Sequence, residues 1–356
     1  MKQSNQIMNR STRRYALCAT LALGLLASLA TFEVAHAASG PVKARLGTLA
    51  PKGSSFYKHL QAMGEKWKQA PGGGVALTIY PDGTMGSEAD MVRRMRLGQL
   101  QSGLLSATGL GEIEPSVVGL QNLPLMFRSL EEVDFITEKM QPLLEKRLAE
   151  KGFVVLFWSD AGWVRFFSKQ PIISPEDLKK TKLFSSATSA AEGAIYRSMG
   201  CNPVSLETMD IMPNLQTGLI NAVPLLPTFA LAAQVDNVAP NMLDLPWVPL
   251  VGAVVMTSKT WDAVPPESRE GVRQAAREAG KFIKADSRRE SEESIDAMRK
   301  RGLKVNTVTP EIVAEWRQTA EAAYPKIRGG TVPADFFDEV VNQLKLFRAA
   351  KEGNKQ

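Results

Sequence analysis

Apolar positions along this chain switch repeatedly between two periods. Residues 42–49 and 75–80 read as strands, whereas Phe56, Leu60, Met63 and Trp67 recur at helical spacing. A loop over 51–55 brings a serine N-cap to that helix, and the turn-rich 81–86 follows the second strand. Ser87 caps a helix through Met95, with Asp90 in the capping-box position and Gly98 as its stop. A short strand falls at 102–106. The polar helix over 131–151 then leads into the unbroken apolar run 153–158, the pattern of a buried parallel strand. Strands at 163–168 and 182–186 flank a short helix capped by Ser174, with Pro175 at its first position and Glu176 and Asp177 in its first turn. Beyond residue 200 come a helix at 209–217, an apolar strand and loop at 219–227, a helical stretch at 227–238 and a strand at 251–257. Alternation of this kind predicts α/β layers with parallel strands.

Pro265-Pro266-Glu267 opens a helix that runs to Arg301, roughly 50 Å at 1.5 Å per residue. Its ends are amphipathic and its middle, 284–294, is nearly all polar. The pattern predicts a helix that bridges two lobes across solvent. The crossing segment at Trp163 and the return strand at Val251 make those lobes discontinuous. The expected ranges are 41–161 with 250–284, and 162–249 with 285–356.

A chain of 356 residues that is 44% hydrophobic and 22% charged can bury cores for two such lobes. Half of the net charge of +6 comes from the first 37 residues, where Lys2, Arg10, Arg13 and Arg14 oppose Glu33. Those basic residues precede an apolar run and the small-residue site Ala35-His36-Ala37, so 1–37 reads as a cleavable signal peptide for export to the periplasm. Sec and twin-arginine routes both fit. No apolar run of membrane-spanning length follows. The remaining charge is modest and dispersed, which excludes a nucleic-acid footprint.

After residue 37 the chain holds one histidine, His59, and one cysteine, Cys201. Neither a Cys/His metal framework nor a disulfide nor a histidine-based triad can be built from these. Gly-rich nucleotide loops are absent, and Asp160 and Glu192 stand as isolated acids. The chain is therefore expected not to be an enzyme and to need no cofactor or metal. What asks for an explanation is the grouping of Trp163, Arg165, Phe166, Phe167, Phe184, Ser185 and Ser186 on the crossing strands: one cation among aromatics and hydroxyls, as in a cleft that receives a ligand.

An ordered set of short segments resembles one family. They are Leu46 to Ser55, Gly74-Val75, Pro81-Asp82-Gly83-Thr84-Met85-Gly86-Ser87, Leu123-Pro124-Leu125-Met126-Phe127, the stretch 162–178, Lys182-Leu183, Asn202-Pro203-Val204 and Leu215-Gln216-Thr217-Gly218. The chain resembles the periplasmic solute-binding proteins of tripartite ATP-independent periplasmic (TRAP) transporters, the DctP type. The resemblance implies a two-lobed α/β periplasmic binding protein fold, a cleft between the lobes and a long helix spanning both. It also implies a small-molecule ligand and an integral membrane permease as partner.

Two departures change the expected ligand. Where the family carries an arginine two residues after the lysine of its second crossing segment, this chain has Phe184. Where polar residues usually follow Leu215-Gln216-Thr217, it has Asn221-Ala222-Val223-Pro224-Leu225-Leu226-Pro227. A bidentate guanidinium–carboxylate pair cannot form at Phe184. The expected site is Trp163, Arg165, Phe184, Ser185, Ser186, Leu225, Leu226, Trp247, Ser55 and Met126. The expected ligand is small and largely apolar, since buried apolar surface contributes about 25 cal/mol per Å². Such a cleft resembles the subgroup associated with a tetratricopeptide-repeat partner. The alternatives are an ordinary organic-acid receptor that uses Arg165, and a ligand-sensing co-receptor.

Overall fold

The computed structural model describes residues 40–353. The signal peptide read over 1–37 lies outside the described residues. The first lobe is laid down as β1 (Val42–Thr48), α1 (Ser55–Lys68), β2 (Val75–Tyr80), α2 (Glu88–Arg96), β3 (Ser102–Ser106), α3 (Ala107–Gly111), α4 (Leu130–Glu150) and β4 (Phe153–Trp163). The second follows as β5 (Arg165–Ser168), α5 (Pro175–Lys179), β6 (Lys182–Ser186), α6 (Ala190–Ser198), β7 (Asn202–Leu206), α7 (Ile211–Thr217), β8 (Ala222–Leu225), α8 (Pro227–Ala232) and β9 (Asn241–Leu243). Then come β10 (Pro249–Thr257), α9 (Ser258–Ala263), α10 (Pro266–Lys300), β11 (Lys304–Asn306), α11 (Pro310–Ile327) and α12 (Ala334–Gly353).

Two sheets result, in the orders β2-β1-β3-β10-β4 and β11-β9-β5-β8-β6-β7. In each sheet one inner strand runs against its neighbours: β10 is antiparallel to β3 and β4, and β5 to β8 and β9. Those two strands are the ones that arrive from the other lobe. The outgoing and returning segments are tied to each other at the crossing. Val164 N donates to Val248 O at 2.9 Å, and Trp247 N donates to Val164 O at 3.1 Å. The crossing is thus a short ladder rather than two independent linkers. Crossing strands, parallel layers and two lobes agree with the fold expected from the resemblance.

Helix α10 is 35 residues long and serves both lobes. Val272, Ala276, Ala279 and Ile283 join the first core with Leu60, Trp67 and Phe157. Ile295 and Met298 join the second with Phe167, Ile220 and Met242. Gly280 is required where the helix crosses β4, because a Cβ there would sit 2.6 Å from the Phe157 ring. The expectation that its middle spans solvent is corrected. Ser287, Ser291 and Ser294 are buried, and the Ser287 hydroxyl donates back to Ile283 O at 2.6 Å. Small side chains, one of them with its hydroxyl bonded back to the helix, pack as a narrow stripe, although each counts as polar in a pattern.

A second correction concerns the C-terminal segment expected in the second lobe. Helix α12 returns to the first. Arg348 grips Glu132 through two bonds of 2.8 Å and also donates to Met126 O, while Arg147 pairs with Asp335 at 2.6 Å. The helices α6, α11 and α12 are not among the elements the pattern predicts. Strand β4 runs on to Trp163, past the predicted end at 158, because β10 pairs with its polar half.

Candidate functional site

Between the two sheets lies a cavity of about 650 Å³. Leu49, Phe56 and Leu104 line it from the first lobe, and Phe184, Leu225 and Phe229 from the second. Phe56 of α1 and Phe229 of α8 meet across it, ring centroids 6.4 Å apart and tilted by 44°. No Lys, Arg or His is among the residues lining it. Ser106, Ser186, Thr188 and Gln121 are among its neutral polar groups, and Glu88, Asp90, Asp160, Glu192, Glu207 and Asp210 supply carboxyls.

Glu88 and Glu192 occupy matching places, each at the carboxyl end of a strand, where α/β sheets commonly receive ligands. Ser106, the last residue of β3, donates its N–H to Glu88 at 2.7 Å and its hydroxyl at 2.5 Å. Ser186, the last residue of β6, donates its N–H to Glu192 at 2.8 Å, and the Tyr196 hydroxyl adds a longer bond of 3.4 Å. Burial pushes both carboxyls above the ordinary glutamate value despite these bonds. Among the described residues neither is paired with a cation. Asp160 differs, because Arg288 holds it through bonds of 2.9 and 2.7 Å and shares its other side with Asp134.

Of the residues expected at the site, Phe184, Ser186 and Leu225 line this cavity and the other seven do not. Strand parity explains part of the split. Side chains alternate along β6, so Phe184 and Ser186 share one face and Ser185 points to the other, toward α6 and Gly193. Leu225 faces the cavity, while Leu226 turns into the core. Trp163 sits at the end of β4 opposite Pro249, partly buried against that core. Trp247 is buried among Phe166, Tyr196 and Trp316 and lines a smaller pocket. Ser55 donates to Glu290 at 2.8 Å, and the capping serine is its neighbour Ser54. Met126 is buried, with its carbonyl bound by Arg348.

Arg165 is the largest correction. Its guanidinium is buried beneath α10, with Nη1 donating to Asp244 at 2.7 Å and Nη2 lying 3.6 Å from Glu292. It ties the crossing segment to the long helix instead of entering the cavity. The residues that sequence reasoning missed are Phe56, Phe229, Glu88 and Gln121. Phe56 is indistinguishable in sequence from the core stripe it continues. Glu88 follows the Pro81–Ser87 turn that carries part of the resemblance, and that position was the one available signal. Among the described residues no group of three or more His, Cys, Asp or Glu side chains is placed to hold a metal ion. Cys201 is free and buried, its thiol pushed up to about 11 mainly by burial.

The family of bacterial extracellular solute-binding proteins, family 7 (DctP), matches residues 46–329. The chain belongs to that family. It is a solute-binding protein and not an enzyme, and proteins of this kind bind small ligands and work with membrane permease subunits. A C4-dicarboxylate-binding periplasmic protein of Rhodobacter capsulatus is 22% identical over 270 residues, covering 75% of this chain and 80% of the relative. Two solved structures of the family illustrate the likeness in fold. The sugar acid binding protein of Advenella mimigardefordensis in complex with galactonate superposes with a TM-score of 0.80 at 16% identity, covering 86% of this chain and 98% of that one. A TRAP periplasmic solute-binding protein of Ralstonia eutropha with bound (S)-2-acetolactate gives 0.79 at 21% identity, covering 85% and 99%. Among the described residues, no lysine, arginine or histidine lines the cavity of this DctP-type chain.

Proposed function

We propose that this DctP-type protein is the extracytoplasmic receptor of a TRAP-type secondary transporter for a small organic solute with a largely apolar body. The observation that carries the reading is the cavity wall. Phe56, Phe184, Phe229, Leu225 and Leu49 face one another across it, and among the described residues no lysine, arginine or histidine lines it to neutralise an anion. Burying a carboxylate in such a space without a cation would cost several kcal/mol. Export by the signal peptide at 1–37, and a tetratricopeptide-repeat partner, belong to this proposal. So do lobe boundaries at 41–161, 250–284 and 334–353 for the first lobe, and 162–249 with 285–333 for the second.

A second reading has its own support: the relatives named above bind acids. An acid in this cleft would be held by hydroxyls and amides, since Arg165 is committed to Asp244 and Glu292. Native mass spectrometry of the protein as purified, followed by extraction and identification of the bound molecule, separates the two. A neutral or apolar-bodied molecule supports the receptor proposed here. A small hydrophilic mono- or dicarboxylate restores the acid reading, and turnover of the extracted molecule by the pure protein would refute both.

A further inference from the structure

The cavity carries more negative charge than the chain answers. Of the six carboxyls that line it, Asp90 pairs with Arg93 at 2.7 Å and Asp160 with Arg288 at 2.7 Å. Among the described residues the other four enter no ion pair. Glu207 and Asp210 are exposed, whereas Glu88 and Glu192 are part-buried, one in each lobe. Burial lifts the pKa of both glutamates, and no cation stands among the groups that oppose the lift.

Glu192 has an oxygen to spare. Its Oε2 takes the Ser186 N–H at 2.8 Å, while Oε1 is held only by the 3.4 Å bond from the Tyr196 hydroxyl. A carboxylate offers about four acceptor positions, so about two stay open. Gln121 shares with Glu192 the wall between the cavity and a side pocket of about 110 Å³. It is 8% exposed, and its Oε1 accepts from Val251 N at 3.3 Å, which fixes the amide and leaves Nε2 as the free donor. Nε2 has no partner among the described residues and keeps accessible surface, so a ligand atom can reach it. This wall therefore fits an N–H donor at Glu192 and an acceptor oxygen at Gln121. The rings of Phe56, Phe184 and Phe229 add an independent preference, since aromatic faces attract cations. A protonated amine meets the charge, the open acceptors and the rings together.

We propose that this wall is a subsite for a protonated amine with a neighbouring uncharged oxygen, as in an amino alcohol. Glu192 accepts from the ammonium, Gln121 Nε2 donates to the oxygen, and Glu88 adds negative charge from the first lobe. The apolar body of the solute lies among the phenylalanines. The assignment names the polar end of the solute and rests on the solute-receptor reading, which the identity of the co-purified molecule tests separately.

Four probes decide it: 1-amino-2-heptanol, heptylammonium, 2-heptanol and 2-hydroxyheptanoate. Each is titrated calorimetrically into the protein freed of bound solute, at pH 7.5, where the amines are protonated and the acid is ionised. The amino alcohol is expected to bind at least tenfold more tightly than 2-heptanol or 2-hydroxyheptanoate, and at least threefold more tightly than heptylammonium. Glu192→Gln keeps an acceptor for Ser186 N and removes the charge; it is expected to cost both amines at least tenfold and to change 2-heptanol by less than threefold. Gln121→Leu is expected to erase the advantage of the amino alcohol over heptylammonium. Glu88→Gln is expected to weaken both amines at least threefold, and it decides the matter should Glu192→Gln fail to fold. A preference of less than tenfold over the alcohol or the acid overturns the assignment. So does an amine affinity indifferent to Glu192→Gln and Glu88→Gln, an advantage over heptylammonium that survives Gln121→Leu, or no binding of any probe. A co-purified apolar-bodied molecule without an amine overturns the subsite alone and leaves the receptor reading standing, whereas a co-purified small dicarboxylate overturns both.

Discussion

Replacing Arg165 by Met separates a structural tie from a ligand grip. The arginine side chain is 8% exposed, and its stem packs beneath α10, so Met preserves most of the buried apolar contact while removing the charge. The bond to Asp244 is charge-assisted at 2.7 Å, a class that contributes about 1.5–3 kcal/mol. Asp244 is 37% exposed and can be hydrated once freed, which places the loss at the lower end, about 1.5 kcal/mol. Glu292 lies 3.6 Å away and is 71% exposed, so its share is at most about 0.5 kcal/mol. The expected destabilisation is therefore about 2 kcal/mol, or about 4–8 °C in Tm by the scaling for units of 150–250 residues. Solute affinity, measured by calorimetry with the extracted molecule, is expected to fall by less than tenfold, about 1.4 kcal/mol. A hundredfold or greater loss of affinity with an unchanged Tm would refute the reasoning and return Arg165 to the ligand.

Three further outcomes are expected. Phe184→Arg puts a guanidinium at the family's arginine position, facing the cavity; the native solute should bind at least tenfold more weakly and succinate should gain measurable affinity, and calorimetry showing neither change would mean that Phe184 does not contact ligand. Glu192 carries a pKa raised by burial, so folding favours its neutral form; the associated stability is complete below the ordinary glutamate value near 4.3 and is lost as pH rises through the raised value. Urea unfolding at pH 5 and pH 8 should accordingly show Glu192→Gln gaining on the parent at the higher pH, and a difference independent of pH would contradict the assignment. Arg288→Met strands Asp160, whose side chain is 3% exposed, and should cost about 3 kcal/mol, the low end for a broken buried pair because Lys284 remains 3.8 Å away; a loss below about 1 kcal/mol in urea unfolding would count against the network.

Much of this protein follows from local rules that a sequence displays. Capping serines, proline at first helical turns and the change of apolar period mark α1, α2, α5 and most strands, because those signals act within a few residues. Ser87 with Asp90, and Ser174 with Asp177, close the boxes their spacing predicts. The ordered family segments carried the two lobes, the crossing strands and the long helix. Other features depend on partners far away in the chain. Whether Arg165 reaches solute or α10 turns on Asp244 and Glu292, 79 and 127 positions further on. Which of Phe184, Ser185 and Ser186 faces ligand turns on the face of β6 that meets the other lobe. The serine stripe of α10 looks solvated because a pattern scores side-chain type, while burial depends on whether the hydroxyl can bond its own helix and what packs over it. Of the paired glutamates, Glu192 was visible only as an isolated acid and Glu88 carried no signal beyond its place after the Pro81–Ser87 turn. Tertiary packing placed each at a strand end in one cavity without a cation, and the desolvation that lifts their pKa values belongs to that enclosure and not to any stretch of sequence.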